Sequence, residues 1–235
     1  MPVRAEADVQ TADIGSGDTL SERAALLVQR DILSGRLQPG ARLGIVGLAA
    51  HYSVGATPLR EGLSRLVSRG LVVALGQRGF RVAPVSESDL RDITEMRIVV
   101  EKEAVLRAMK QGGDEWEADV LGALHRLNRY VDRAGKKFGE GREEFDTLHK
   151  SFHTALLTAC GSPRMLAAHS ALYDEAYRYR RVMMRAFEDP ADFIKAHREL
   201  AEVVVARDIR RAPQLLAEHL KSTIRYVYPD GEAGR

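Results

Sequence analysis

The chain has 235 residues, 45% of them hydrophobic and 29% charged, a composition that can bury a core and excludes wholesale disorder. Its single cysteine, Cys160, excludes an internal disulfide, and no apolar run approaches the ~20 residues of a membrane span. The net charge of +2 is unevenly spread: residues 20–85 hold nine arginines against Glu22, Asp31 and Glu61, as in a nucleic-acid-binding module joined to a near-neutral remainder.

Residues 1–18 are polar, rich in Asp and Gly and without period, and read as a disordered leader. With Arg4 its one basic residue and no apolar stretch, this segment is unlike a signal peptide, and a cytoplasmic protein is expected. Thr19-Leu20-Ser21-Glu22 has capping-box spacing and opens a helix with Leu26, Ile32 and Leu33 on its apolar side, stopped at Gly35. Pro39-Gly40 makes a turn, and a short helix follows from about Ile45 to Tyr52. Thr57-Pro58 reads as N-cap and first position of a third helix, on which Leu59, Leu63, Leu66 and Val67 recur at helical spacing. Short strand-like runs, 71–75 and 80–82, flank a Gly-rich turn and predict a hairpin. Three helices and a hairpin within 19–85 make a winged helix-turn-helix. From 86 to 229 the texture becomes helical, near 87–110, 115–134, 143–160, 164–188, 192–209 and 213–228, punctuated by Gly and Pro. The fold class is therefore mainly α, a winged helix-turn-helix followed by an all-helical bundle of about six helices, with a flexible tail at 230–235.

A helix-turn-helix sets its second helix in the major groove of double-stranded DNA. Here that helix begins at Thr57, whose hydroxyl and neighbouring backbone N–H groups suit phosphate. Arg60 lies on its first turn, Arg65 and Arg69 extend its basic character, and Arg78 at the hairpin tip is placed for the adjacent minor groove. A homodimer is expected, because two such units on a palindromic operator supply both affinity and half-site register.

In the helical part, His149 and His153 stand at i and i+4 with Phe145, Phe152 and Leu156 on the same face. His197 lies four residues after Phe193, and His219 four after Leu215. Two readings of these four histidines are open: separately hydrogen-bonded core residues, or joint ligands of a divalent metal such as Zn²⁺ or Ni²⁺. His125 and His169 read as hydrogen-bonded core residues. The residue after His149 is Lys150, not the glutamate that a zinc protease uses as general base, and no other nucleophile–base pair is legible.

Gly35-Arg36-Leu37-Gln38-Pro39-Gly40-Ala41-Arg42-Leu43, Leu48-Ala49, the run Thr57-Pro58-Leu59-Arg60-Glu61-Gly62-Leu63-Ser64-Arg65-Leu66, Gly70-Leu71-Val72 and Arg78-Gly79-Phe80 resemble the GntR family of bacterial repressors over residues 20–84. The family's usual Val-Ser-Arg-Thr-Pro is Val54-Gly55-Ala56-Thr57-Pro58 here, so a frequent DNA contact is lost at Ala56. Arg97-x-x-x-Glu101, Phe152-His153, Ala196-His197 and Glu218-His219 resemble the FCD ligand-sensing domain of the family's FadR branch over residues 86–228. That resemblance implies a metal held by an Asp and three His beneath a carboxylate effector. His149 stands at the Asp position, which makes the site one charge more positive, with Asp146 as a second choice of acid. The stretch 111–121, His149-x-x-x-His153 and Arg178-Tyr179-Arg180 are similar to repressors of glutarate and γ-aminobutyrate catabolism genes, which implies glutarate or a close C4–C5 dicarboxylate.

For such an acid, Arg97 is the first choice of second anchor beside the metal, with an i,i+4 salt bridge to Glu101 as the alternative role. Tyr179 and Arg180 are further effector-binding candidates. A regulator that answers to metal alone and a metalloenzyme with a DNA-binding appendage are the competing functions, the last without an evident general base.

Overall fold

The computed structural model describes residues 19–139, 141–183 and 189–228. The expected leader at 1–18 and the tail at 230–235 lie outside the described residues. The elements are α1 (Leu20–Leu33), β1 (Arg42–Leu43), α2 (Ile45–His51), α3 (Ala56–Val67), β2 (Val72–Ala74), β3 (Phe80–Val82), α4 (Glu87–Gln111), α5 (Asp114–Ala134), α6 (Glu143–Ala155), α7 (Pro163–Met183), α8 (Pro190–Val205) and α9 (Arg211–Val227). No described helix is long and apolar enough to cross a membrane.

The N-terminal elements build their own core. The capping box at α1 is made: Thr19 Oγ1 accepts from the Glu22 N–H, and the Thr19 N–H donates to Glu22 Oε2 at 2.9 Å. Ala24, Ala25, Val28 and Ile32 turn inward from α1, while Leu26 is 49% exposed. Leu26 was expected inside, but six residues are not a whole number of helical turns, so it cannot share a face with Ile32. Helix α3 answers with Leu59, Leu63 and Leu66, all fully buried. The two helices approach so closely at Gly62 that a Cβ there would lie 2.8 Å from the Ala25 backbone nitrogen. Buried Asp31 joins α1 to the following segment, accepting from Tyr52 Oη at 2.7 Å and Arg36 Nη2 at 2.5 Å.

The wing holds one strand more than the sequence predicts. β1 pairs antiparallel with β3, which also pairs with β2, so the order is β1-β3-β2. Two residues carry no readable period, and their partner lies far along the chain.

Helices α4–α9 enclose a second core that includes Phe145, Phe152, Phe193, Leu200 and Leu216. Expected and observed helices agree closely here. The segment expected at 143–160 leaves the α-helix at Ala155 and ends in a 3₁₀ turn, Thr158–Cys160. The one expected at 164–188 is described to Met183. Trp116 Nε1 donates to the Ala155 carbonyl at 2.9 Å, which locks α5 to the end of α6. Helix α7 reaches beyond the bundle: Arg178, 1% exposed, donates through Nη1 to the Ala83 carbonyl at 3.0 Å and through Nη2 to the Pro84 carbonyl at 3.3 Å.

Candidate nucleic-acid interface and metal centre

Helix α3 starts two residues earlier than the capping pattern in the sequence suggests. Gly55, extended at φ −69° and ψ 158°, is its N-cap, and no side chain caps it. Pro58 therefore sits at the third helical position, where its missing N–H is still among the unpaired groups of the first turn. Thr57 is inside the helix and exposed, so its hydroxyl is not spent as the cap that the sequence implied. Arg60 is exposed on the same turn. Arg65 is exposed and shares Glu22 Oε1 at 3.4 Å, and Arg69 donates to Gln29 at 2.7 Å. Arg78 is exposed on a 3₁₀ turn at the wing tip. Strand pairing adds a feature that the sequence did not show: Arg42 stands directly opposite Arg81, both exposed. Two like charges face to face disfavour the pair in isolation and suit a surface that meets phosphate.

In the bundle, His149 and His153 from α6, His197 from α8 and His219 from α9 place one ring nitrogen each within 4.8 Å of one another. His149, His153 and His197 are buried, and His219 is half-buried. His149 Nε2 lies 3.1 Å from both His197 Nε2 and His153 Nε2, and one proton can serve only one of these contacts. His197 Nδ1 donates to the Phe193 carbonyl at 2.8 Å, which leaves its Nε2 with a lone pair aimed at the group. Burial holds all four imidazoles well below their ordinary value of 6.5, with neighbouring histidines and the guanidiniums of Arg97 and Arg180 adding to the effect. Neutral imidazoles converging at these distances are a donor set that could hold a divalent ion, since two ligands each about 2.0–2.1 Å from one tetrahedral zinc stand about 3.3 Å apart.

Beside the histidines lies a buried polar layer. Arg97 is 3% exposed and donates through Nε to Glu101 Oε1 at 2.7 Å, while its Nη2 has no hydrogen-bond partner. His169 Nδ1 lies 3.1 Å from the same Glu101 oxygen. Burial alone would raise the Glu101 carboxyl, but Arg97 and His169 outweigh it and hold it below the usual carboxylate range. The Tyr173 ring has the Arg97 guanidinium 5.2 Å from its centroid and that of Arg180 at 4.9 Å.

Residues 12–82 match the gntR family of bacterial regulatory proteins, and residues 92–222 match the FCD domain. The HTH-type transcriptional repressor GlaR of Escherichia coli (strain K12) is 39% identical over 203 residues, covering 84% of this chain and 90% of that protein. The chain belongs to the GntR family. It is a transcriptional regulator with a GntR DNA-binding domain and an FCD domain, not an enzyme. The HTH-type regulator BphR of Paraburkholderia xenovorans (strain LB400), itself uncharacterised, is 34% identical over 94% of this chain and 90% of its own length. McbR/YncC of E. coli superposes with a TM-score of 0.73 at 24% identity, over 91% of this chain and 99% of that one, and thereby shares the fold.

Within this GntR regulator, several site expectations are rearranged. Tyr179 is fully buried but packs with Leu90, Ile93 and Ile224; its hydroxyl accepts from the Ser86 N–H at 3.2 Å and donates to Asp89. One residue before Arg180, it points about 100° away from it and toward the linker. Tyr173, seven residues before Arg180 and so on its face, takes the place beside Arg97; extending the helical phase of α7 backward from Arg180 would have found it. Asp146 is held by the Gly141 N–H at 3.0 Å and the Tyr177 hydroxyl at 2.5 Å, outside the histidine group. His125 is exposed on α5, against the expectation of a core residue, whereas His169 is fully buried with Glu101 and Thr154 as neighbours.

Proposed function

We propose that this regulator is a homodimeric, cytoplasmic repressor released from its operator by a small dicarboxylate such as glutarate, bound next to a divalent metal. The DNA-binding unit is 19–85 and the sensing unit 86–229. Thr57, Arg60, Arg65 and Arg78 contact DNA; His149, His153, His197 and His219 hold the metal, zinc or nickel; Arg97 and Arg180 take the carboxylates.

The observation that carries this reading is the unpartnered Nη2 of buried Arg97 beside four converging neutral imidazoles. A guanidinium with an unfilled donor in a buried site calls for an anion, and the metal supplies positive charge for the other end of the acid. Exposed Met96 and Val99 on α4 offer apolar surface to a second copy.

A second reading has its own support: four imidazoles complete a tetrahedral zinc site, leaving no position for an organic ligand, and a regulator built so would answer to metal alone. Calorimetry with glutarate, succinate and 2-hydroxyglutarate on metal-loaded and chelated protein separates the two. Binding that requires the metal supports the effector reading. Equal binding to chelated protein overturns the metal anchor, and operator release by Zn²⁺ or Ni²⁺ without any acid establishes the second reading.

A further inference from the structure

Helix α7 serves both halves of the molecule. Tyr173 and Arg180 stand beside Arg97 in the sensing unit, while Asp174, Glu175 and Arg178 reach the DNA-binding unit. Asp174 joins the two. Its Oδ1 accepts from Lys150 Nζ at 2.6 Å, and its Oδ2 accepts from Gln29 Nε2 at 3.1 Å. Lys150 follows His149 on α6, and its ammonium lies 5.6 Å from the Tyr173 ring centroid, a ring already approached by Arg97 and Arg180. On the other side, Gln29 Oε1 accepts from Arg69 Nη1 at 2.7 Å, and Arg69 lies just past the end of α3. The next residue, Gly70, is pressed against Glu175: a Cβ there would come within 2.5 Å of its Oε2. Asp174 thus reaches the end of the recognition helix through Gln29 and Arg69, Glu175 packs against the residue that follows, and Asp174 is held in turn from α6.

We infer that Lys150, Asp174 and Gln29 are the coupling residues through which occupancy of the metal and carboxylate site resets the recognition helix. This rests on the effector reading above. The side chains of Lys150 and Asp174 are 32% and 15% exposed, so their bond is charge-assisted and partly shielded from water. An anion between Arg97, Arg180 and the metal adds negative charge on the Tyr173 side of Lys150 and competes with Asp174 for its ammonium. As that bond weakens, Asp174 loses its fixed position and with it the grip on Gln29. Gln29 belongs to α1, whose backbone lies against α3 at Gly62, so a shift of α1 moves the DNA-reading surface. Each link is made in this structure; the coupling requires that each can also break, with the ligand acting through its unequal affinity for the two arrangements.

Hydrogen–deuterium exchange of the full chain, with Zn²⁺ and glutarate as probes, reads the coupling, and calorimetry in the same buffer reads the binding. In the wild type, exchange across residues 56–70 changes by about fivefold or more on binding, the low end of ordinary coupling. Gln29→Met and Asp174→Asn bind the probes as the wild type does but lose that change, whereas Lys150→Arg, which keeps the cation, retains it. Should Asp174→Asn fail to fold, Gln29→Met, in the other unit, carries the test alone. A change that persists in folded Gln29→Met overturns the route and places the coupling in the Arg178 linker contacts or in the dimer. Binding to the wild type with no change across 56–70 also overturns it, and leaves the effector reading standing. Absence of binding by either probe removes the effector reading and this inference together.

Discussion

Arg60 and Arg97 are both helical arginines with a glutamate close in sequence, yet they live in opposite solvents. Arg60 is exposed on α3, in a unit with one small apolar core and all nine of its arginines exposed. Arg97 is 3% exposed on α4, in a bundle that carries charge inward and pairs it with Glu101. The difference teaches that recognition is built in two ways here. The DNA-binding unit keeps its contacts outside the fold, where they cost little and can be exchanged freely. On the proposed reading, the sensing unit makes its ligand contacts part of its own core, so that binding and stability become one property.

The largest test of that contrast is Arg97→Ala. It removes the guanidinium partner of buried Glu101, leaving only the His169 contact, and is expected to lower stability by about 3–5 kcal/mol in urea unfolding. The double variant Arg97→Met with Glu101→Met should recover most of the loss, and equal losses in the two would break the comparison. Next comes the metal. Each of His149→Ala, His153→Ala, His197→Ala and His219→Ala should lose much of the metal found by elemental analysis, and chelation of the wild type should lower its melting temperature. An ion present at a hundred times its dissociation constant is worth about 2.7 kcal/mol. The metal-free protein should also weaken in acid. Its folded imidazoles stay neutral well below 6.5, while those of the unfolded chain protonate near that value, so stability present above pH ~6.5 is lost as pH falls from there toward the lower folded values.

Arg60→Ala should behave in the opposite manner. Operator affinity measured by anisotropy falls by ~1–3 kcal/mol, while stability stays within about 0.5 kcal/mol of wild type. A folded Arg60→Ala with unchanged affinity would remove Arg60 from the reading surface. The smallest effect is expected at Arg81→Thr, which relieves the like-charge pair with Arg42. The fold should gain about 0.2–1 kcal/mol, while the salt dependence of operator binding should lose about one phosphate contact. Unchanged salt dependence would place this face of the wing away from DNA.

The order of elements, the two units and the all-helical nature of the second were legible in the chain, because long helices with period 3.6 and Gly or Pro at their ends state their type locally. The pairing of His149 with His153 was equally local, since four residues are one helical turn. Contacts between distant segments were not legible. β1 exists only because Arg42 and Leu43 find Arg81 and Phe80. That the histidines of α6, α8 and α9 close to within 4.8 Å, and that Tyr173 rather than Tyr179 stands beside Arg97, depends on how whole helices are rotated against one another. The sequence by itself determined which residues are candidates to bind DNA or metal, through their chemistry and their helical spacing. Only the tertiary structure decided which of them meet, because burial and the angle between packed helices are set by every side chain in the core at once.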